Sequence, residues 1–251
     1  MTSDVLAGWE KRLFSAAAIT RDTYRSGTGP AVIVIHEIPG ITPNVVAFAN
    51  QVVERGFTVV MPNLMGTPGR EVSNRYGAAS MLKLCVAKEF SVWATNRTSP
   101  IVAWLRALAR ATHLEVGGAG VGAVGMCFSG GFALGMMVDE IMLAPVLSQP
   151  SLPLAVGPGK AKRADDLGLS PDDVQAVIER AAAGCEVLGL RYDRDPLVGD
   201  RFETLRSMLG DAFIAVELPS RTKRDHSVLT EHRDEAAVQS VLEFFSEKLQ
   251  P

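Results

Sequence analysis

The sequence predicts an α/β protein: a mostly parallel sheet with helices on both faces. Three observations carry that prediction. Apolar runs suited to buried strands alternate with amphipathic stretches suited to helices, from Ala31 to the C-terminus. Three helix starts share one device, a hydroxyl cap followed by proline: Thr42-Pro43, Ser99-Pro100 and Ser170-Pro171. Finally, the apolar run Val121–Val124 passes straight into Gly125-Met126-Cys127-Phe128-Ser129-Gly130-Gly131, so a strand turns into a helix at a glycine-flanked cysteine. With 251 residues, 47% of them hydrophobic, the chain can bury one full core. Residues 1–251 therefore read as a single domain.

In chain order, the first thirty residues end in Ser26-Gly27-Thr28-Gly29-Pro30 and are expected to add a hairpin at the sheet edge. Ala31–His36 is a continuous apolar run suited to a central strand, and a helix capped by Thr42 follows. Phe57–Met61 is the next strand, closed by Pro62. Residues 63–96 are long for a connection and hold a helical patch at Met81–Cys85, which suggests a lid or rim segment. Ser99-Pro100 opens a helix to about Ala111. After the cysteine turn, Glu140–Leu143 is expected as a strand, and Val146–Gly168, with Pro150, Pro153 and Pro158, as a second rim segment. Ser170-Pro171-Asp172-Asp173 starts another helix, with an acid at its third position. Val187–Leu190 and Ala212–Leu218 are strands. Asp234–Lys248 closes the chain as an amphipathic helix, with Ala237, Val238, Val241, Leu242 and Phe245 on one face.

The cysteine turn has the form of a nucleophile elbow, in which strain at the apex and small neighbours lift a reactive side chain above the sheet. Two later strand ends bear on it. Val187–Leu190 runs into Arg191-Tyr192-Asp193-Arg194-Asp195-Pro196, and Ala212–Leu218 leads to a loop with Asp225-His226-Ser227. Nucleophile, acid, histidine is the triad order of α/β hydrolases, each placed where open α/β sheets put their chemistry. A reading of Ser129 as the nucleophile lacks the first elbow glycine and is weaker. Gly120-Val121-Gly122-Ala123-Val124-Gly125 is a literal G-x-G-x-x-G, but its glycines precede the turn, whereas a dinucleotide site needs them between strand and helix.

On these blocks, together with Val32-Ile33-Val34-Ile35-His36-Glu37-Ile38-Pro39-Gly40, the chain from about Ala31 onward resembles the dienelactone hydrolase family, a cysteine-using branch of the α/β hydrolases. The resemblance implies the α/β-hydrolase fold and a carboxymethylenebutenolidase-type activity, hydrolysis of a lactone or ester through an acyl-cysteine, with no cofactor. It implies Cys127, Asp195 and His226 as the triad, with Asp195 favoured over Asp193 by the Asp-Pro-Leu-Val stretch. It implies Glu37 as a carboxylate touching the resting thiol, and the N–H groups of Ile38 and Phe128 as oxyanion donors. Two departures stand out. Ser129 replaces the second elbow glycine. Thr230 stands four residues beyond His226, where the family's namesakes carry an arginine that grips a substrate carboxylate.

Composition narrows the alternatives. A net charge of −3 with no basic stripe argues against nucleic acid as a partner. Three widely spaced cysteines argue against a disulfide framework. The four histidines and the cysteines show no metal-ligand spacing. No apolar leader or membrane-length run is visible, so a cytoplasmic enzyme is expected, as monomer or dimer, acting on a small-molecule ester or lactone. The rival readings are a non-catalytic binding protein on the same fold and a nucleotide-binding oxidoreductase.

Overall fold

The computed structural model describes residues 4–250. A short 3-10 turn (Asp4–Leu6) precedes the hairpin of β1 (Glu10–Ala16) and β2 (Ile19–Ser26). Then follow β3 (Ala31–Ile35), α1 (Pro43–Glu54), β4 (Thr58–Pro62), α2 (Asn74–Val86), α3 (Pro100–Val116) and β5 (Val121–Met126). The second half comprises α4 (Gly130–Met136), β6 (Met142–Ser148), α5 (Lys160–Arg163), α6 (Pro171–Ala182), β7 (Val187–Tyr192), α7 (Arg201–Leu209), β8 (Phe213–Leu218) and α8 (Glu235–Leu249). The eight strands form one sheet in the order β1-β2-β4-β3-β5-β6-β7-β8. The hairpin joins β4 antiparallel, and every pairing from β4 to β8 is parallel. Among the described residues, no helix is long and apolar enough to cross a membrane.

The parallel strands read as apolar runs because both faces are covered. One layer packs residues of α3, α4, α6 and α7, including Trp104, Phe132, Val177 and Phe202, against Ile33, Ile35 and Ala123. The other packs α1 and α8, through Phe48, Val52, Val241 and Phe245, against Val32, Val34 and Val124. Burying one such side chain contributes about 1.5–3 kcal/mol, so the two layers dominate the stability. Caps set the helix starts. Thr42 accepts from the Val45 N–H (3.3 Å), Ser170 from Asp173 (3.2 Å) and Asp234 from Ala237 (2.9 Å), each contributing roughly 1 kcal/mol. Ser99 departs from expectation: its hydroxyl donates to the Phe90 carbonyl (2.7 Å) and ties α3 to the end of the 63–96 segment instead of capping its own helix.

Three differences from the sequence reading stand out. The strand expected at 140–143 lies instead at Met142–Ser148 and runs through Pro145. Its pairing with β7 begins only at Val146. Up to Pro145 the strand has an open side, where a missing N–H is tolerated. The second rim segment accordingly starts at Gln149. In the 63–96 segment, α2 extends well beyond the Met81–Cys85 patch, because Ser73 accepts from the Tyr76 N–H and starts the helix earlier. Helix α7 has no signal in the sequence pattern. It is held by Arg201, buried to 1% exposure, whose guanidinium donates to carbonyls of Leu152, Asp166 and Val198, so a charge in the sequence concealed a core position.

Candidate active site

The register places five strand ends side by side. Ile35 pairs with Gly125, Met126 with Ser148, Ser148 with Leu190, and Tyr192 with Leu218. Glu37, Cys127, Gln149, Asp195 and His226 follow β3, β5, β6, β7 and β8 in turn, so all five arrive at one edge of the sheet.

Cys127 is the apex of the turn between β5 and α4, with φ +56°, a left-handed conformation costly for a residue with a Cβ. Close packing enforces it. A Cβ at Gly125 would collide with the Ser129 carbonyl, and one at Gly130 would lie 2.6 Å from Pro150 Cα. Ser129 itself is fully buried. Its Oγ accepts from the Met126 N–H (2.9 Å) and lies within 3.0–3.1 Å of the Ile35, His36 and Met126 carbonyls. The serine that replaces the elbow glycine therefore fastens the elbow to the end of β3. Cys127 is only 9% exposed and belongs to the apolar cluster that also holds Phe90, Phe128, Phe132 and Leu152.

His226 Nδ1 bonds Asp195 Oδ2 at 2.6 Å, and the Asp195 side chain is 1% exposed. The other Asp195 oxygen accepts from the Leu197 N–H (3.0 Å), which fixes the carboxylate plane. His226 Nε2 is buried without a partner of ordinary hydrogen-bond geometry. Burial alone would push the His226 pKa down, but the negative charge Cys127 can carry and the bond to Asp195 hold it well above the ordinary value. Cys127, His226 and Asp195 are thus brought together. Asp193 is not: it is exposed, and its Oδ1 accepts from the Ser220 N–H (2.8 Å).

Glu37 is 3% exposed, and its hydrogen bonds run to groups other than the thiol that the resemblance implied. Its oxygens accept from Ser227 Oγ (2.7 Å), Thr230 Oγ1 and Gln149 Nε2 (3.3 Å), and no bond to Cys127 is among its hydrogen bonds. Burial pushes its pKa up, opposed by the Thr230 hydroxyl and the nearby His226 charge. The resting contact is therefore with the loop that carries His226. Thr230, four residues beyond His226, is 4% exposed and spends its hydroxyl on Glu37.

Ile38 follows Glu37 directly, and Phe128 follows Cys127. Neither N–H is used among the described turn and loop hydrogen bonds. Two participants escaped sequence reasoning. Gln149 is fully buried with φ +35°, bonded through its amide to Glu37 and the Val228 N–H (3.4 Å). His36 is fully buried between the Glu37 carbonyl and the Leu64 N–H. The available signal was a polar residue ending an apolar strand at the edge where the chemistry lies.

The G-x-G-x-x-G run has a packing explanation. Gly122 and Gly125 lie within β5, and a Cβ at Gly122 would meet Phe245 at 3.0 Å, so these glycines serve strand packing and form no phosphate loop. Among the described residues, no group of three His, Cys, Asp or Glu side chains could hold a metal.

Known structures share this architecture. A putative dienelactone hydrolase from Klebsiella pneumoniae superposes with a TM-score of 0.61 at 17% identity, covering 96% of this chain and 97% of that one. A dienelactone hydrolase from Anabaena variabilis gives 0.64 at 15% identity over 97% and 100% of the two chains. A cold-adapted esterase from an Arctic intertidal metagenomic library gives 0.62 at 13% identity, over 97% and 95%. At such identities the likeness establishes the fold. No curated protein sequence gives a significant match. The profile of the dienelactone hydrolase family matches residues 15–249, nearly the whole chain, and the protein belongs to that family.

Proposed function

We propose that the protein hydrolyses carboxylic esters or lactones through an acyl-cysteine intermediate on Cys127. The observation that carries this reading is His226, bonded to the buried Asp195 carboxylate at 2.6 Å and influenced by the charge of Cys127, whose thiol stands on a strained elbow. His226 takes the thiol proton, and the sulfur attacks the substrate carbonyl carbon. The carbonyl electrons move to oxygen, and the N–H groups of Ile38 and Phe128 stabilise that oxyanion. Collapse expels the alkoxide, which receives the proton from His226 and leaves a thioester. Water, deprotonated by His226, repeats the addition, and loss of the thiolate releases the acid. Asp195 holds the imidazole in the tautomer that presents Nε2 to sulfur and stabilises the imidazolium.

Substrate selection follows from the surroundings. Thr230 is committed to Glu37, and Cys127 belongs to an apolar cluster, so uncharged esters or lactones suit the site better than a carboxylated dienelactone. A hydroxyl does not replace the fork of an arginine. With Cys127 this enclosed, entry requires the 63–96 segment to act as a lid with the 149–168 rim. The two are joined by the bonds of the Leu154 N–H to the Val92 carbonyl (2.9 Å) and of the Asn96 N–H to Asp166 (2.8 Å).

The test is turnover of p-nitrophenyl esters by Cys127→Ala. Loss of hydrolysis with an intact fold, and loss of wild-type activity on alkylation of Cys127 by iodoacetamide, support the reading. Wild-type turnover in Cys127→Ala contradicts it.

A further inference from the structure

His36 is fully buried and uses both ring nitrogens. Nδ1–H donates to the Glu37 carbonyl at 2.8 Å, and Nε2 accepts from the Leu64 N–H at 3.1 Å. These bonds specify one neutral tautomer, in keeping with a pKa that burial pushes down to about 4. The Glu37 carbonyl and the Ile38 N–H belong to one trans peptide unit, which is planar and points the two groups in opposite directions. A bond that holds the oxygen from one side therefore aims the N–H toward the other. The adjoining peptide is held as well. Ser129 Oγ lies 3.1 Å from the His36 carbonyl and 3.0 Å from that of Ile35, while it accepts from the Met126 N–H on the elbow. Ser129 directly follows Phe128, so one hydroxyl links the strand end before Ile38 to the turn that carries Phe128.

We propose that His36 and Ser129 are positioning residues of the oxyanion hole: His36 orients the Ile38 N–H, and Ser129 sets its spacing from the Phe128 N–H. The proposal rests on the acyl-cysteine reading and deepens it. Neither residue touches substrate. Each acts on a donor whose value depends on pointing at the developing oxyanion, and the loss of one such donor lowers kcat by about 10²–10³-fold.

The experiment compares His36→Leu, His36→Gln and Ser129→Ala with wild type in three assays. The first is hydrolysis of a p-nitrophenyl ester. The second is inhibition by a trifluoromethyl ketone, whose carbonyl accepts the Cys127 thiolate to give an adduct bearing an oxyanion. The third is alkylation by iodoacetamide, in which sulfur displaces iodide from carbon and no carbonyl oxyanion forms. In His36→Leu and Ser129→Ala, kcat is expected to fall by about 10- to 10³-fold, with KM changed less than about threefold. The inhibition constant should rise in parallel, and the alkylation rate should stay at the wild-type value. His36→Gln, whose amide can donate to the Glu37 carbonyl and accept from Leu64, should recover most of kcat. Slowed alkylation in step with kcat, an unchanged inhibition constant, or wild-type kcat in either variant would overturn the proposal. Should His36→Leu fail to fold, Ser129→Ala must show the same split. Failure of the underlying reading is distinguishable, because Cys127→Ala would then hydrolyse the ester as wild type does.

Discussion

Replacing Asp195 by asparagine removes one charge without changing the shape of the side chain. The Asp195 carboxylate is 1% exposed and lies 2.6 Å from His226 Nδ1. With the charge centres of carboxylate and imidazolium taken roughly 4 Å apart at an effective dielectric near 20, their attraction is about 4 kcal/mol. That attraction acts when His226 is protonated, as in the states on either side of thiol attack, so its loss falls on kcat. At about 1.4 kcal/mol per decade, Asp195→Asn should lower kcat by about 10³-fold. The exchanged amide can also present N–H to Nδ1 and favour the wrong tautomer, adding to the loss. Asp193→Asn is the matched control, since Asp193 is exposed and bonded to the Ser220 N–H. It should change kcat less than about threefold. Steady-state hydrolysis of a p-nitrophenyl ester by both variants measures the difference. A larger loss in Asp193→Asn, or less than a tenfold loss in Asp195→Asn, would refute the assignment of the acid.

Three further outcomes are expected. Glu37→Ala strips the acceptor from Ser227, Thr230 and Gln149, and should cost roughly 2–4 kcal/mol in a denaturant melt while altering the pH profile of Cys127 alkylation; an unchanged profile over roughly pH 5–9 would restrict Glu37 to a structural role. Because His36 is neutral in the fold with a pKa of about 4, against 6.5 in the open chain, the stability tied to its neutrality is whole above about pH 6.5 and declines as the pH falls toward 4. The decline amounts to about 3 kcal/mol, and pH-dependent denaturation of wild type against His36→Gln should show a shallower acid slope in the variant. Finally, kcat/KM for a neutral lactone should exceed that for a dienelactone carboxylate of similar size, and a preference of about tenfold or more for the carboxylate would place a lid cation in the site.

What the sequence disclosed was whatever local physics decides. The alternation of apolar runs, the Thr42 and Ser170 caps and the crowding around Gly125 act within a few residues, and each corresponds to an observed element. The order Cys127, Asp195, His226 was equally readable, because each lies just after a strand of the parallel sheet. Less legible were features made by distant segments. Pro145 within β6 depends on where β7 begins to pair, and Arg201 reads as a surface charge until the carbonyls of Leu152, Pro153 and Asp166 close around it. Glu37 is the instructive case at the site. Its presence at the strand end was evident, but its partner depended on the path of the 226–230 loop, which brings Ser227 and Thr230 onto its oxygens.

The most direct measurement is a rapid-quench digest of the wild-type enzyme mixed with a stoichiometric activated ester, analysed by peptide mass spectrometry. The account predicts one acyl group on the peptide containing Cys127, located on the cysteine by fragmentation, appearing with the burst of alcohol and decaying at the turnover rate. An acyl group on Ser129, or turnover with no acyl-enzyme in wild type and undiminished rate in Cys127→Ala, would contradict it.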